Sequence, residues 1–322
     1  MKIWALVLSV IGASLAWIGR VAAQEVWADI GNRYSLSGPN ALTRSTLLDR
    51  QEKLQNKCDQ SSRRELTRDP ELFKNLLVDD QHKLLYCYVP KVACTNWKRV
   101  LMVATGKWKK VNSALEIPAA LAHAIGTFQR LSNFEMAEIE DRLATYNKLI
   151  VVRHPFERLL SAYRNKFEAK NEKSSSYFQS RFGRKIIKKY RRNPSTGSLL
   201  LGNDVTFKEF VDFIVDDDNE NGTRNEHWQS ITDLCHPCSV NYNLVSKYET
   251  LVEDATEILE RIGVDSVTFP SRPRNVEPTE NILDKYYSTL SYGQLRDLAK
   301  LYHRDFYLFD YSVEKILGFS IA

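Results

Sequence analysis

The chain has 322 residues, of which 43% are hydrophobic, so it is long enough and apolar enough to build one large core. It contains no internal repeat and no low-complexity block, which excludes repeat architectures and leaves one domain with an N-terminal leader as the simplest organisation. A formal net charge of +5 permits an anionic partner but does not require one, so the distribution of charge is more informative than its total.

The N-terminus carries an uncharged stretch from Ile3 to Gly19, which is bracketed by Lys2 and Arg20. Its length is at the lower limit for a membrane span, and the small residues after Arg20 also suit a signal peptidase. Residues 1–24 are therefore either an uncleaved signal anchor or a cleaved signal peptide. Both alternatives bring the rest of the chain into the secretory pathway.

Residues 25–75 are polar, with scattered charges and few apolar residues at a regular period. Such a segment cannot bury enough apolar surface to fold by itself, and it is predicted to be a stem. The globular domain is predicted for residues 76–322, and it opens with the apolar run that starts at Leu76.

The apolar run from Leu84 to Val89 is typical of a strand that is buried on both faces of a parallel sheet. After Pro90 the period changes to that of a helix, whose predicted buried stripe is Trp97, Val100, Leu101 and Ala104. The loop between them, Lys91 to Asn96, opens onto a helix N-terminus, where unpaired N–H groups favour an anion. It lacks the glycines of a Walker A loop, yet it is predicted to bind phosphate, with Lys91 as the mobile charge. An ordinary crossover with a surface lysine would show the same elements.

A second strand, Lys148 to Arg153, is followed by His154 and by a helix that is predicted to begin at Pro155. The predicted buried stripe of this helix is Phe156, Leu159, Leu160, Tyr163 and Phe167. Arg153 at the end of the strand and Ser161 two turns into the helix can converge on one phosphate. Two anion-binding units of this kind predict a ligand with two phosphate groups.

The segment 181–192 carries cations at helical spacings, which predicts one basic face made of Arg181, Arg184, Lys185, Lys188 and Arg192. Such a face suits a sulfated or carboxylated glycan, but an ordinary solvated helix shows the same pattern. The secretory leader disfavours nucleic acid as the partner. The acidic stretch from Asp216 to Glu220 precedes the single glycosylation sequon, at Asn221, and is predicted to be an exposed loop.

Five cysteines in an oxidising compartment leave at least one unpaired within the chain. The motif Cys235-His-Pro-Cys238 could be half a zinc site or a redox pair, but no second C-x-x-C completes a zinc site. A structural disulfide is favoured, either local or with another cysteine such as Cys58. Cys87 lies in the first strand and is expected only to pack in the core.

The last part of the chain repeats the alternation of strand and helix. A strand is predicted at 243–248, helices at 252–262 and 292–303, and an aromatic core segment at 305–311. This alternation predicts an α/β fold with a central parallel sheet flanked by helices. Anion loops at the carboxyl ends of strands match the ligand-binding edge of such folds.

The segments PKVACTNWKR, from Pro90, and VRHPFERLLSAYRNKF, from Val152, resemble the two nucleotide-binding signatures of Golgi carbohydrate sulfotransferases, in the group of the chondroitin 4-O-sulfotransferases. The resemblance extends from about Leu76 to Tyr311 and includes the motifs NEHW, CHPC and KYETL. His154 departs from it, because family members usually carry Asp or Glu there. The resemblance implies a P-loop-type sulfotransferase domain in the Golgi lumen, held as a single-pass type II membrane protein by an uncleaved anchor.

In this family the first signature holds the 5'-phosphosulfate of 3'-phosphoadenosine 5'-phosphosulfate, and the second holds its 3'-phosphate. Carried over to this chain, the first set comprises Lys91, Val92, Ala93, Cys94, Thr95 and Asn96. The second set comprises Arg153 and Ser161, with Arg158 as a further nucleotide ligand. No metal is expected to take part.

Sulfuryl transfer needs a group that accepts the proton of the attacking hydroxyl, and an imidazole with an ordinary pKa near ~6.5 suits this task. His123 lies between the two signatures, where related sulfotransferases often place their base, and it is the first candidate. His227 is the second candidate and Glu226 the third, and a surface or capping role is the alternative for either histidine. Lys91 is expected to stabilise the charge that grows on the leaving 5'-phosphate.

The resemblance implies an enzyme that moves sulfate to the 4-hydroxyl of N-acetylgalactosamine in chondroitin, an anionic glycosaminoglycan. Dermatan, terminal N-acetylgalactosamine and glucuronic acid-capped glycans are alternative acceptors for the same chemistry. Three rival functions are a nucleotide kinase, which would need Mg²⁺ and ATP, a non-catalytic lumenal glycan-binding protein, and a pseudoenzyme.

Overall fold

A computed structural model describes residues 40–60, 69–109, 113–169, 173–216, 225–271 and 279–318. The predicted anchor at residues 1–24 and the glycosylation sequon at Asn221 lie outside the described residues. None of the helices within the described ranges combines the length and the apolar character that a membrane span needs. The residues from Leu47 on belong to one compact unit.

One five-stranded mixed sheet forms the centre of this unit. Its strands are β1 (Leu76–Asp79), β2 (Leu84–Cys87), β3 (Gln129–Arg130), β4 (Asn147–Val152) and β5 (Leu244–Lys247). The strand order is β3-β1-β2-β4-β5, in which β2, β4 and β5 are parallel and β1 is antiparallel to both of its neighbours. The predicted α/β class is confirmed, and the central strands β2, β4 and β5 are parallel as expected, while β1 adds an antiparallel edge. The turn at 80–83 is too short for the crossover that a parallel pair needs, so β1 and β2 are antiparallel.

Helices make up most of the remaining described chain. The α-helices are Ala41–Gln60, Cys94–Ala104, Ala119–Ala122, Met136–Thr145, Pro155–Tyr163, Lys173–Phe178, Arg184–Tyr190, Thr196–Leu201, Phe207–Val215, Ile231–Cys235, Pro237–Val240, Leu251–Arg261, Leu283–Tyr287, Tyr292–Leu301, His303–Leu308 and Glu314–Leu317. The 3₁₀ turns are Pro70–Phe73, Ala114–Glu116, Leu131–Asn133, Tyr248–Thr250 and Thr279–Ile282. Two π-helical turns, Arg164–Glu168 and Gln179–Gly183, lengthen neighbouring helices.

Burial follows the two predicted helical stripes. On Cys94–Ala104 the predicted residues Trp97, Val100, Leu101 and Ala104 are buried in the cluster that contains the strands. On Pro155–Tyr163 and the π turn after it, the predicted stripe is buried in a second cluster that is rich in aromatic rings. Because apolar burial drives each helix onto its neighbours, the loop before each helix is held in a definite place.

The helix Ala41–Gln60 lies within the predicted stem, but its residues from Leu47 on belong to the domain. Leu47, Leu54 and Cys58 are buried in the core cluster of the sheet. Arg50 Nη1 is 2.6 Å from Asp254 Oδ2, and Cys58 is bonded to Cys238. The domain therefore begins earlier than predicted. The apolar stripe of this helix is too narrow to stand out in the sequence, because only one residue in roughly two turns is buried.

Two disulfides join distant parts of the chain, Cys58–Cys238 and Cys87–Cys235. The first is one of the alternatives predicted for the CHPC motif. The second corrects the expectation that Cys87 only packs, because the end of β2 lies beside the helix Ile231–Cys235, with a Cα–Cα distance of 6.0 Å between the two cysteines. Cys94 is buried and is the free cysteine of the chain.

Candidate active site

A cavity of about 400 Å³ lies where β2, β4 and β5 end, at the edge at which parallel strands bring their following loops together. Of the residues predicted for the site, those that line it are Lys91, Ala93, Cys94, Thr95, His123, Arg153, Ser161 and His227. It is also lined by Tyr88, Pro90, Asn165, Lys166, Glu226 and Tyr248. The structure therefore brings both anion loops and all three candidate bases to one place.

The first anion loop has an unusual backbone. Lys91 and Ala93 have positive φ angles of 74° and 65°, in the left-handed region that side chains with a Cβ seldom adopt. Each such residue costs roughly 1–3 kcal/mol and persists only where the surrounding structure enforces it. Ala93 is the N-cap of Cys94–Ala104 and offers no side-chain cap, so the N-cap side chain does not compete with an anion for the first amides of this helix, at Cys94 and Thr95.

Lys91 provides the charge of this loop. Burial, followed by the positive charges of Lys166 and Arg153, lowers the pKa of Lys91 to about 8. The ammonium is therefore still mostly protonated at neutral pH, but its charge is poorly compensated by the protein. A buried ammonium in such surroundings gains strongly from an anionic ligand.

Val92 and Asn96, which were also predicted to hold the phosphosulfate, do not line the cavity. Val92 is fully buried in the core cluster, and Asn96 Oδ1 accepts a hydrogen bond from Arg99 Nη1 at 3.2 Å. The buried Val92 can therefore contribute to anion binding only through its backbone, and the role of Asn96 stays a prediction.

Arg153 joins the two anion loops. Its side chain is buried, and its Nε and Nη2 each lie 3.2 Å from Glu157 Oε2. Its Nη1 donates to the carbonyl of Lys91 at 3.4 Å, and its guanidinium carbon lies 4.2 Å from the centre of the Tyr248 ring. Several fixed partners hold the guanidinium beside Ser161 at the cavity wall, as recognition of a phosphate requires.

His154 takes over the cap that an acidic residue would provide. Its Nδ1 accepts a hydrogen bond from the Phe156 amide at 3.3 Å, which caps the helix Pro155–Tyr163. Its Nε2 lies 3.0 Å from the Ser312 carbonyl, which can only accept, so Nε2 carries the proton. The departure from the family pattern therefore keeps the helix start intact while it removes a negative charge.

Arg158 is used inside the protein rather than in the cavity. Its nitrogens donate to the backbone carbonyls of Pro90, Glu226 and Gln229 at 2.9, 2.7 and 2.6 Å. The side chain is 2% exposed and does not line the cavity, so its role as a direct nucleotide ligand stays a prediction. Arg158 instead fixes the first anion loop to the segment that carries His227.

His123 has both ring nitrogens engaged. Its Nε2 lies 2.9 Å from Thr95 Oγ1, and its Nδ1 lies 3.4 Å from Lys98 Nζ. Although the residue is exposed, partial desolvation and the charges of Lys98 and Lys166 lower the pKa of His123 to about 4, so the ring is neutral at pH 7. Because an ammonium can only donate, Nδ1 is the acceptor and Nε2 carries the proton. Neither nitrogen is available to a sugar hydroxyl in this arrangement.

His227 is held in the opposite tautomer. Asn225 Oδ1 accepts from the His227 amide at 3.1 Å and lies 2.6 Å from its ring Nδ1. The backbone amide can only donate, so the shared atom is an oxygen and Nδ1 must carry a proton. The lone pair is then on Nε2. Burial, with Lys166 and Lys91 next in importance, lowers the pKa of His227 to about 2.

Glu226 is a weaker candidate for the base than His227, because its carboxylate already accepts a hydrogen bond. The hydroxyl of Tyr88 donates to Glu226 Oε2 at 3.3 Å, and Tyr88 itself packs under Lys98 Nζ, which lies 4.1 Å from the centre of its ring. The carboxylate thus belongs to a network of polar groups at the cavity wall. Glu226 therefore helps to fix the positions of Tyr88 and Lys98 at this wall.

Lys166 was not predicted, although its charge lowers the pKa of Lys91, of His123 and of His227. It lies in the π-helical turn Arg164–Glu168, lines the cavity, and places its Nζ 4.6 Å from the centre of the Phe178 ring. A π turn widens the helix, so a residue five positions after Ser161 comes to the same wall. In an uninterrupted α-helix Lys166 would lie on a different face from Ser161. The sequence carries no signal for the π turn, so Lys166 was not expected at the cavity.

The α/β sheet, the two anion loops at its ligand-binding edge and the imidazoles between them define a nucleotide-dependent group transferase. Residues 74–312 match the sulfotransferase family, and the chain belongs to this family. Membership implies 3'-phosphoadenosine 5'-phosphosulfate as the sulfate donor. Within the described parts of the chain, no cluster of His, Cys, Asp or Glu residues could hold a metal ion.

The similar proteins are carbohydrate sulfotransferases, which implies a glycan acceptor. Carbohydrate sulfotransferase 11 of Mus musculus is 42% identical over 264 residues, which cover 81% of this chain and 73% of that protein. Carbohydrate sulfotransferase 14 of Danio rerio is 42% identical over 74% of this chain and 63% of its own length. Carbohydrate sulfotransferase 9 of Homo sapiens is 39% identical over 74% of this chain and 53% of its own length. No solved structure is detectably similar to the chain.

Proposed function

We propose that this protein transfers the sulfuryl group of 3'-phosphoadenosine 5'-phosphosulfate to the 4-hydroxyl of N-acetylgalactosamine in chondroitin. The observation that carries the proposal is the meeting of Lys91, Arg153 and His227 in one cavity, where a donor and a hydroxyl could lie side by side. The acceptor is supported by the resemblance of both signatures to those of the chondroitin 4-O-sulfotransferases. The identity with carbohydrate sulfotransferase 11 points in the same direction.

The donor is held by its two phosphate ends. The amides of the loop Lys91–Thr95 and the Lys91 ammonium bind the 5'-phosphosulfate, and Arg153 with Ser161 binds the 3'-phosphate. As the bond between sulfur and the bridging oxygen breaks, negative charge grows on the 5'-phosphate. A desolvated lysine beside this oxygen stabilises the charge where it develops, which lowers the barrier more than it strengthens ground-state binding.

The base is His227 rather than His123, because the Nε2 of His227 carries a lone pair while its Nδ1 is fixed by Asn225. Its pKa of about 2 reflects burial and the cations around it. An anionic nucleotide beside those cations favours the imidazolium and moves the pKa toward the usual range. The ring can then take the proton of the 4-hydroxyl as the new S–O bond forms, and the products are the sulfate ester and 3',5'-bisphosphoadenosine.

The compartment that fits this chemistry is the Golgi lumen. The disulfides Cys58–Cys238 and Cys87–Cys235 are typical of an oxidising compartment and support a lumenal domain. The uncharged stretch within residues 1–24 would then serve as the single anchor of a type II membrane protein.

Incubation of the protein with sulfur-labelled donor and separate glycans tests the proposal. The acceptors are chondroitin, dermatan, desulfated heparin and glycans with terminal N-acetylgalactosamine, and the products are digested to disaccharides. We expect label in 4-sulfated N-acetylgalactosamine from chondroitin. Label in another glycan would keep the chemistry and replace the acceptor. Tight binding of donor without transfer to any glycan would favour a non-catalytic protein, and phosphate transfer from ATP with Mg²⁺ would favour a kinase.

A further inference from the structure

The helical segment from Gln179 to Tyr190 carries cations that form ion pairs and cations that do not. Lys189 Nζ is 2.6 Å from Asp216 Oδ2, and just beyond the segment Arg191 Nε is 2.7 Å from Glu209 Oε1, so these charges are compensated within the protein. The cations that are exposed and have no ion-pair partner among the described residues are Arg181, Arg184, Lys185 and Lys188. Lys188 lies four residues after Arg184 and three after Lys185, so these three share one side of the α-helix, and Arg181 precedes them in the π turn. We call these four residues the basic face.

The basic face is held in place by close backbone packing. Like charges at this spacing repel one another and weaken a helix. The segment is nevertheless fixed, because Gly183 lies so close to Gly202 that a Cβ at Gly183 would be 2.1 Å from the Gly202 carbonyl oxygen. Gly202 has a φ of 65°, which glycine adopts without strain. The chain thus presents uncompensated cations on a rigid support, which reduces the entropy cost of binding an anion.

One end of the basic face borders the cavity. The ring of Phe178 lies 5.0 Å from that of His227, and Lys166 Nζ lies over the same Phe178 ring, 4.6 Å from its centre. Next to Phe178, Tyr177 is 54% exposed, and the guanidinium carbon of Arg181 lies 5.8 Å from its ring centre. An exposed ring beside a cation suits a sugar that carries an acidic group, because it offers apolar contact and charge together.

We propose that the basic face binds the part of an anionic glycan chain that extends beyond the sugar in the cavity. The chain would leave the cavity past Tyr177 and Arg181 and continue along Arg184, Lys185 and Lys188. This inference rests on the proposed function, since it takes the acceptor to be a glycosaminoglycan with repeated carboxylates. At ~1.5 Å per residue the face from Arg181 to Lys188 is about 10 Å long, so it contacts more than one sugar. The enzyme should therefore prefer polymeric chondroitin to short acceptors.

The test is the triple variant R184S/K185S/K188S of the full chain, with K189S as the matched control. Lys189 lies on the same helix, but its charge is already paired with Asp216. For the triple variant we expect the KM for polymeric chondroitin to rise about tenfold, as the loss of three exposed charge contacts implies. The KM for the donor and the kcat should change little, and a tetrasaccharide acceptor should be affected much less than the polymer. K189S should behave as the unmodified protein.

A second readout does not depend on catalysis. Binding of polymeric chondroitin is measured against NaCl concentration, where the triple variant should show a weaker dependence on salt than the protein and the control. Thermal unfolding with and without 3',5'-bisphosphoadenosine checks that the fold and the donor site are intact. An unchanged polymer KM and an unchanged salt dependence would overturn the inference. Binding of the triple variant to vesicles of anionic lipid is measured as well. If the variant loses vesicle binding but keeps chondroitin binding, the inference is overturned, because the face would then bind a membrane. If no glycan is sulfated but polymer binding depends on the face, the proposed function fails and this inference stands.

Discussion

The two walls of the cavity are built in different ways. The donor wall consists of Lys91 to Thr95 and Arg153, which directly follow strands and are held by backbone geometry and buried contacts. The acceptor wall collects His123, Lys166 and His227 from a loop, a π turn and a second loop. The donor wall is thus set by neighbouring elements of the sheet, whereas the acceptor wall depends on contacts between distant segments. Substitutions on the donor wall should therefore act on the leaving nucleotide, whereas substitutions on the acceptor wall should act on the attacking hydroxyl.

The largest effect is expected for the base. His227→Ala should lower kcat by about 10²–10⁴-fold, because it removes the proton acceptor, and His123→Ala should lower it less than about tenfold. Rates at saturating donor and acceptor provide the measurement. Binding of 3',5'-bisphosphoadenosine to both variants serves as the control, since neither should lose it. The reverse order of the two rates would assign the base to His123.

On the donor wall, Lys91→Met should lower kcat by about 10²–10³-fold with a smaller loss of product-nucleotide affinity, because the ammonium acts on charge that develops in the transition state. Lys83→Met is a matched control, since Lys83 also has a positive φ, of 48°, but lies in the turn between β1 and β2. Both variants are compared by kcat and by calorimetric binding of the bisphosphate. A Lys91→Met enzyme with normal turnover would refute the leaving-group role.

The same lysine predicts a pH dependence. Burial, followed by the charges of Lys166 and Arg153, lowers the pKa of Lys91 to about 8, and the protonated form is the active one. kcat/KM should therefore fall as the pH rises above about 8. Lys166→Gln removes a neighbouring positive charge, raises the pKa of Lys91 and should move this limb to higher pH. A limb that stays in place in Lys166→Gln would show that another group titrates there.

The disulfide Cys58–Cys238 ties the helix Ala41–Gln60 to the domain without touching either wall. The variant C58S/C238S should lose about 2–5 kcal/mol of unfolding free energy, because the open chain gains conformational freedom on unfolding. Denaturant unfolding measures the loss, and kcat well below the melting temperature should be nearly normal. A loss of activity without a loss of stability would mean that this helix acts on the site.

The smallest effect is expected at His154. His154→Ala should cost about 1 kcal/mol, because it removes the cap of Pro155–Tyr163, and His154→Asn should restore most of it. Thermal unfolding of the two variants gives the comparison. Equal melting temperatures for His154→Ala and the unmodified protein would show that the cap contributes little. The KM for the donor should change in neither variant by more than about twofold, since His154 does not line the cavity.

Sequence reasoning was accurate where a signal is local. The strands that precede both anion loops, and the buried stripes of the helices that follow them, appear as predicted, because burial imposes a period of two or 3.6 residues on neighbouring positions. It was inaccurate where a partner is distant. The three backbone carbonyls that accept hydrogen bonds from Arg158 belong to other segments and were not predicted. Cys87 has the neighbours of a packing residue, yet Cys235 lies next to it in space.

The sequence by itself determined the α/β class, the two anion loops and the residues that begin them, because strand, loop and helix each follow from a short run of side chains. Only the tertiary structure decided the antiparallel edge of the sheet, the disulfide partners, the place of Lys166 and the tautomers of His123 and His227. These features depend on which atoms meet across the fold. Such meetings result from the packing of the whole core, and a local pattern does not contain them.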